Sequence, residues 1–119
     1  MTITIYGPDI YKMSLQGFYQ VENPTKISYL DCSGANLFDL SVLSNKWDNL
    51  TELNCSQNKI KILPDIITRF RKLIKLKCCS SLLTSLPDDI GNLIRLTTLD
   101  CSFNRISQLP ESITKGVED

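Results

Sequence analysis

The chain has 119 residues, thirteen basic and thirteen acidic side chains and no histidine, which is the length of one domain with no net charge. Such a balance supplies no field toward nucleic acid or an anionic membrane, no run of about eighteen apolar residues would span a bilayer, and the opening MTITIYGPDIYKMSLQGF lacks the basic-then-apolar order of a secretion signal. Without histidine, a glycine-rich phosphate loop, H-E-x-x-H or C-x-x-C, the chain is expected to be no enzyme and to carry no cofactor.

At the start, Ile3 and Ile5 alternate with threonines, Gly7-Pro8-Asp9 reads as a turn, and Tyr11, Met13 and Leu15 alternate again. This predicts a small hairpin within residues 1–26, ended by Asn23-Pro24. From Ile27 onward one pattern recurs every 23 residues, giving units 27–49, 50–72, 73–95 and 96–119. Each unit opens on an apolar residue (Ile27, Leu50, Leu73, Leu96). A leucine follows at the fourth place (Leu30, Leu53, Leu76, Leu99), a cysteine at the sixth (Cys32, Cys55, Cys78, Cys101) and an aliphatic residue at the eleventh (Leu37, Ile60, Leu83, Ile106). Self-similarity at this period marks a stacked solenoid, whose units bury their apolar faces only against neighbours.

Within each unit, ISYLDCS, TELNCSQ, IKLKCCS or TTLDCSF alternates polar and apolar residues, so a short strand is expected over about the third to seventh places. One strand per unit predicts a parallel sheet. Leu63-Pro64, Leu86-Pro87 and Leu109-Pro110 precede Asp65, Asp88 and Glu111, a helix-start signal, so DIITRFRKL and DDIGNLIRL read as short helical or 3-10 stretches on the far side. They carry a second apolar column of Ile67, Ile90 and Ile113 beside Trp47, Phe70 and Leu93. The end units depart from the pattern, with Ser41 and Ser44 in the first and Gly116 in the last. An exposed solenoid end needs covering, which makes residues 1–26 an expected N-terminal cap. At the other end TTLDCSF is expected to be an edge strand that pairs with another molecule or is masked by polar KGVED.

The string L-x-x-L-x-C-x-x-N-x-I-x-x-L-P-x-x-I, at residues 50–67 and again at 96–113, resembles the leucine-rich repeat family, in particular its 23-residue intracellular form related to Ras-binding members. The wording LNCSQNKI and LDCSFNRI is also similar to short repeat proteins of giant DNA viruses and slime moulds. The resemblance implies an α/β solenoid: an arc with a parallel β-sheet on the concave side and short helical or 3-10 segments on the convex side. It further implies a protein-protein interaction module with no catalytic activity, placed in the cytoplasm or nucleus, within the host cell if viral. Its partner would be another protein, a small GTPase being one possibility by resemblance, bound on the outward strand positions. Carried over, those are Tyr29, Glu52, Lys75 and Thr98 at the third place, Asp31, Asn54, Lys77 and Asp100 at the fifth, and Phe103 at the eighth. In the family the sixth-place side chain points into the core, which makes Cys32, Cys55, Cys78 and Cys101 structural. The ninth-place asparagine bonds backbone in the turn after the strand; Asn58 and Asn104 suit this, Ser81 does so in part, and Ala35 does not, so the first turn is expected to be looser or to rely on Asn36.

Two further features bear on chemistry. Four thiols in a straight row do not converge on one ion as a tetrahedral site requires, so no metal is expected; Cys79, at the seventh place, is expected to point out to the concave surface, where it is the one candidate for a reactive thiol beside Lys75 and Lys77, a solvated cysteine of ordinary reactivity being the preferred reading. Arg69, Arg71, Lys72, Lys75 and Lys77 form the basic cluster, in which Lys75 and Lys77 face Glu52 and Asp100 of neighbouring units and are explained by lateral ion pairs. A structural alternative is self-association into a homodimer through the C-terminal edge strand, and a lesser one is thiol or metal chemistry at the cysteines.

Overall fold

A computed structural model describes residues 3–7, 10–13 and 24–114. The expectations placed on the Pro8-Asp9 turn, Leu15, Gly116 and the KGVED end lie outside the described residues. Six strands form one sheet in chain order: β1 (Ile3–Gly7), β2 (Ile10–Met13), β3 (Tyr29–Asp31), β4 (Glu52–Asn54), β5 (Lys75–Lys77) and β6 (Thr98–Asp100). β1 and β2 pair antiparallel, and every later neighbour pairs parallel. The register follows the 23-residue period: Leu30, Leu53, Leu76 and Leu99 stand side by side. Stacking one unit on the next spreads the molecule over 43 × 25 × 19 Å.

The opposite side is made of single turns. Residues Asn45–Trp47, Asp65–Arg69 and Ile90–Asn92 are 3-10, and Glu111–Thr114 (α1) is α-helical. They are shorter than the sequence stretches suggested. Ser44, in place of the usual isoleucine, caps the first of them through its hydroxyl to the Lys46 N–H, 3.4 Å away. In the second and third the chain returns to the sheet after Phe70 and Leu93, whose ψ of 76° and 77° leaves helical space. The architecture is therefore the leucine-rich repeat arc.

Between the two sides lies a single core. Leu30, Leu53 and Leu76 from the strands meet Ile67 and Ile90 from the 3-10 turns, with Trp47, Phe70 and Leu93 closing the strand-entry side. Burial of these apolar columns, at roughly 25 cal/mol per Å², is the main source of stability. In the fourth unit Leu96, Leu99, Cys101, Ile106 and Ile113 pack on this core but stay partly exposed, because among the described residues nothing stacks beyond β6. Gly91 permits α1 to approach: a side chain there would collide with the Ser112 main chain, 2.5 Å from its carbonyl carbon. Ser112 Oγ accepts from the Gly91 N–H at 3.0 Å and donates to the Asp88 carbonyl at 2.6 Å, tying the last unit to the third.

Candidate functional site

The repeat strands β3 to β6 are three residues long, and in/out alternation carries on only to the buried sixth place. The sixth-place N–H still donates sideways, from Cys32, Cys55 and Cys78 to the fifth-place carbonyls of Asn54, Lys77 and Asp100 at 2.8–2.9 Å. Two residues later every unit takes a left-handed backbone: Gly34 at φ 62°, Gln57 at 57°, Ser80 at 54° and Phe103 at 56°. Three of these four are not glycine, in a region that side chains with a Cβ enter at some cost. Their N–H groups explain the geometry, since Gly34, Gln57 and Ser80 donate to the seventh-place carbonyls of Ser56, Cys79 and Ser102 at 2.9–3.0 Å. The lateral ladder thus continues around the corner.

Asparagine completes the corner, and it works between units. Asn58 Oδ1 accepts from the Ala35 and Leu37 N–H groups of the first unit at 3.1 and 2.8 Å, while its Nδ2 donates to the carbonyls of Cys32, Cys55 and Ser56 at 2.9–3.1 Å. The first turn is therefore held by its neighbour, not loosened by Ala35 or rescued by Asn36, which lies exposed at φ 59°. Asn104 serves the third unit in the same way through the Leu83 N–H and the Cys78 carbonyl. Ser81 reaches only Ile60, accepting from its N–H at 2.8 Å and donating to its carbonyl at 3.2 Å.

The outward sheet face carries two straight rows. Register aligns Tyr29, Glu52, Lys75 and Thr98 in one, and Asp31, Asn54, Lys77 and Asp100 in the other. Lys75 is exposed and the others are half-buried, with Leu30, Leu53 and Leu76 between the rows facing inward at zero exposure. Phe103 stands off both rows on its left-handed turn and is 84% exposed. Tyr29 and Phe103 lie three strand spacings apart, roughly 14 Å, so the structure does not bring the two aromatics together.

Charge on the face is fixed locally. Asp31 and Asp100 each accept from the N–H and Oγ–H of the serine two residues on, at 2.6–3.1 Å. The Ser102 bonds hold the Asp100 carboxyl below its usual range, and Lys77, its register neighbour, adds a smaller part. Lys77 itself cannot accept such a bond, so the Cys79 N–H turns instead to Ser56 Oγ of the preceding unit at 3.1 Å, and the Cys79 thiol lies 3.2 Å from the same oxygen. Cys79 is consequently half-buried, not free on the surface as alternation implied, and Ser56 is buried. The D-x-S and N-x-S spacing in Asp31-Cys32-Ser33, Asn54-Cys55-Ser56 and Asp100-Cys101-Ser102 was the readable signal for these turns.

Behind the face run the sixth-place cysteines. Cys32, Cys55 and Cys78 are buried, whereas Cys101, expected inside, is only half-buried, because among the described residues nothing stacks beyond β6. Burial pushes the Cys32 thiol up to about 12, helped by the Asp31 charge. Cys55 and Cys78 are raised by burial first and then by neighbouring cysteines of the row. Protonated thiols at pH 7 are poor nucleophiles and poor metal ligands. Among the described residues no group of three or more Cys, Asp or Glu is placed to hold a metal ion, and no helix is long and apolar enough to cross a membrane.

Comparison with known proteins agrees with this geometry. Residues 49–70 and 95–115 match the Leucine Rich Repeat family. No curated protein matches the chain in sequence. Among solved structures, it is similar to a leucine-rich repeat protein of Leptospira interrogans, at 27% identity and a TM-score of 0.69 over 76% of this chain and 23% of that one. It is also similar to the functional domain of InlJ from Listeria monocytogenes, which includes a cysteine ladder, at 28% identity and a TM-score of 0.60 over 82% of this chain and 19% of that one. The chain thus spans about a fifth to a quarter of the length of the structures it matches.

Proposed function

We propose, for a chain whose units are leucine-rich repeats, that the outward sheet face binds another protein and performs no chemistry. Leucine-rich repeat domains are in general protein-interaction modules. The observation that carries the reading is the pair of aligned third- and fifth-place rows, solvated on a sheet whose intervening row is buried. Such a face offers fixed polar groups on rigid backbone, and exposed aromatic or long cationic side chains supply the anchors. Tyr29, Lys77 and Phe103 are the residues to test. Substituting all three (Tyr29→Ala, Lys77→Ala, Phe103→Ala) is expected to weaken a partner captured from the native host at least about tenfold. Lys61→Ala, outside the strand rows, should leave it unchanged. Equal retention by both variants in a quantitative pull-down would reject the concave face.

A second reading is self-association through β6. It is supported by the partly exposed apolar residues Leu96, Leu99, Ile106 and Ile113 beside that terminal strand. In an antiparallel two-fold pair centred on Leu99, Thr98 would oppose Asp100 of the other copy, which avoids a like-charge clash. A dimer mass by light scattering that reverts to monomer on Leu99→Asp supports this reading; a monomer at high protein concentration excludes it.

A further inference from the structure

Neutral overall charge conceals a segregated surface. In the first three units, where the chain climbs from its 3-10 turn back to the sheet, the twentieth to twenty-third places carry Lys46, Arg69, Arg71, Lys72 and Arg95 against a single carboxylate, Asp48. All five cations are exposed. The acids gather instead where the 3-10 turns and α1 begin, at Asp65, Asp88, Asp89 and Glu111. The sequence cluster of five basic residues is therefore divided by the fold. Lys75 and Lys77 join the sheet rows next to Glu52 and Asp100, whereas Arg69, Arg71 and Lys72 stay on this shoulder and gain Arg95 from the following segment.

The shoulder also exposes hydrocarbon. Ile94 is 85% exposed, the most of any large apolar side chain among the described residues, and stands at a place where the preceding units carry Asp48 and Arg71. Ile94 lines a cleft of about 290 Å³ together with Arg71, Lys72 and Arg95. The Lys72 ammonium is anchored at 2.6 Å on Asn49 Oδ1, so one wall of the cleft is held in place.

We propose that this shoulder docks an acidic polypeptide segment that carries an aliphatic side chain, on a site separate from the sheet face. The cations neutralise the segment's carboxylates and speed its encounter, and the cleft beside Ile94 takes the aliphatic group out of water. A nucleic acid is disfavoured because the aromatic residues of this shoulder, Trp47 and Phe70, are buried and offer no stacking surface. An anionic bilayer is disfavoured because a plane of headgroups reads charge and does not enter a cleft between two units.

The probe is a short, fluorescein-labelled, glutamate-rich peptide with one central leucine, followed by anisotropy against the whole chain at low and physiological salt. Salt-sensitive binding is expected that weakens about tenfold in the Arg71→Glu, Arg95→Glu variant. It should survive in Arg71→Lys, Arg95→Lys, weaken when the peptide leucine becomes serine, and be untouched by Lys77→Glu on the sheet. Unchanged binding by the charge-reversed protein overturns the proposal, as does equal loss in Lys77→Glu. Tighter capture by phosphatidylserine vesicles or by single-stranded RNA than by the peptide overturns it in favour of those ligands. The Lys77→Glu arm keeps this result distinct from any failure of the sheet-face reading.

Discussion

Above pH 9 the stability of this fold is expected to fall by about 4 kcal/mol for each further pH unit, a slope set by three buried thiols. Cys32, Cys55 and Cys78 each have a pKa well above the value of 9.0 that they have in the open chain, because burial removes water from the thiolate and neighbours in the row or at the fifth place repel its charge. Below pH 8 both folded and unfolded chains hold these protons, and stability is flat. Above pH 9 the unfolded chain releases them while the native core keeps them, so the unfolded state binds fewer protons and gains at the expense of the fold. Each thiol contributes about 1.4 kcal/mol per pH unit until its own native pKa is reached. Against a typical domain stability of about 5–15 kcal/mol, three in concert should unfold the chain within a few pH units. Urea unfolding at successive pH values gives the slope directly. Cys55→Ala should remove about one third of it; a slope unchanged by that substitution would mean that other groups dominate.

Replacing Asn58 by alanine should cost about 3–5 kcal/mol in urea or thermal unfolding. The side chain satisfies two N–H groups and three carbonyls at a buried corner, and alanine leaves all five to find water or go unpaired. Asn58→Asp is a sharper probe, since it keeps acceptors for the Ala35 and Leu37 N–H groups but turns a carboxylate toward three carbonyl oxygens. Asn104→Ala, with a partly exposed side chain, should cost clearly less. A loss at Asn58 below about 1 kcal/mol would show that solvent repairs the corner.

The register of the solenoid was legible because its cause is periodic. A leucine that recurs every 23 residues has one way to stay buried in a stack, and Leu30, Leu53 and Leu76 do so. Cooperation between units is less visible to a reading made one unit at a time. Ala35 looks like a defect within its own unit and is none once Asn58 arrives from the next. Nor do Gln57, Ser80 and Phe103 advertise a left-handed backbone; only Gly34 hints at the requirement, which comes from lateral hydrogen bonds that no local propensity encodes. The candidate face was readable as two rows, since alternation of the strand determines which side chains emerge. Its limits were not: alternation ends after the sixth place, so the seventh-place Cys79 is drawn partly inward. The shoulder cations were visible as a run of charge, but their separation from Lys75 and Lys77 depends on where the chain bends.

Because each corner borrows its asparagine or serine from the unit that follows, cohesion in this chain is directional. A unit released from its successor loses the acceptor for its own turn, whereas one released from its predecessor keeps it. Fraying should accordingly spread toward the N-terminus from any break, and the array should behave less like stacked coins than like a zip with a preferred direction of opening. Hydrogen exchange at the Ala35, Leu37, Ile60 and Leu83 amides would record that polarity one corner at a time.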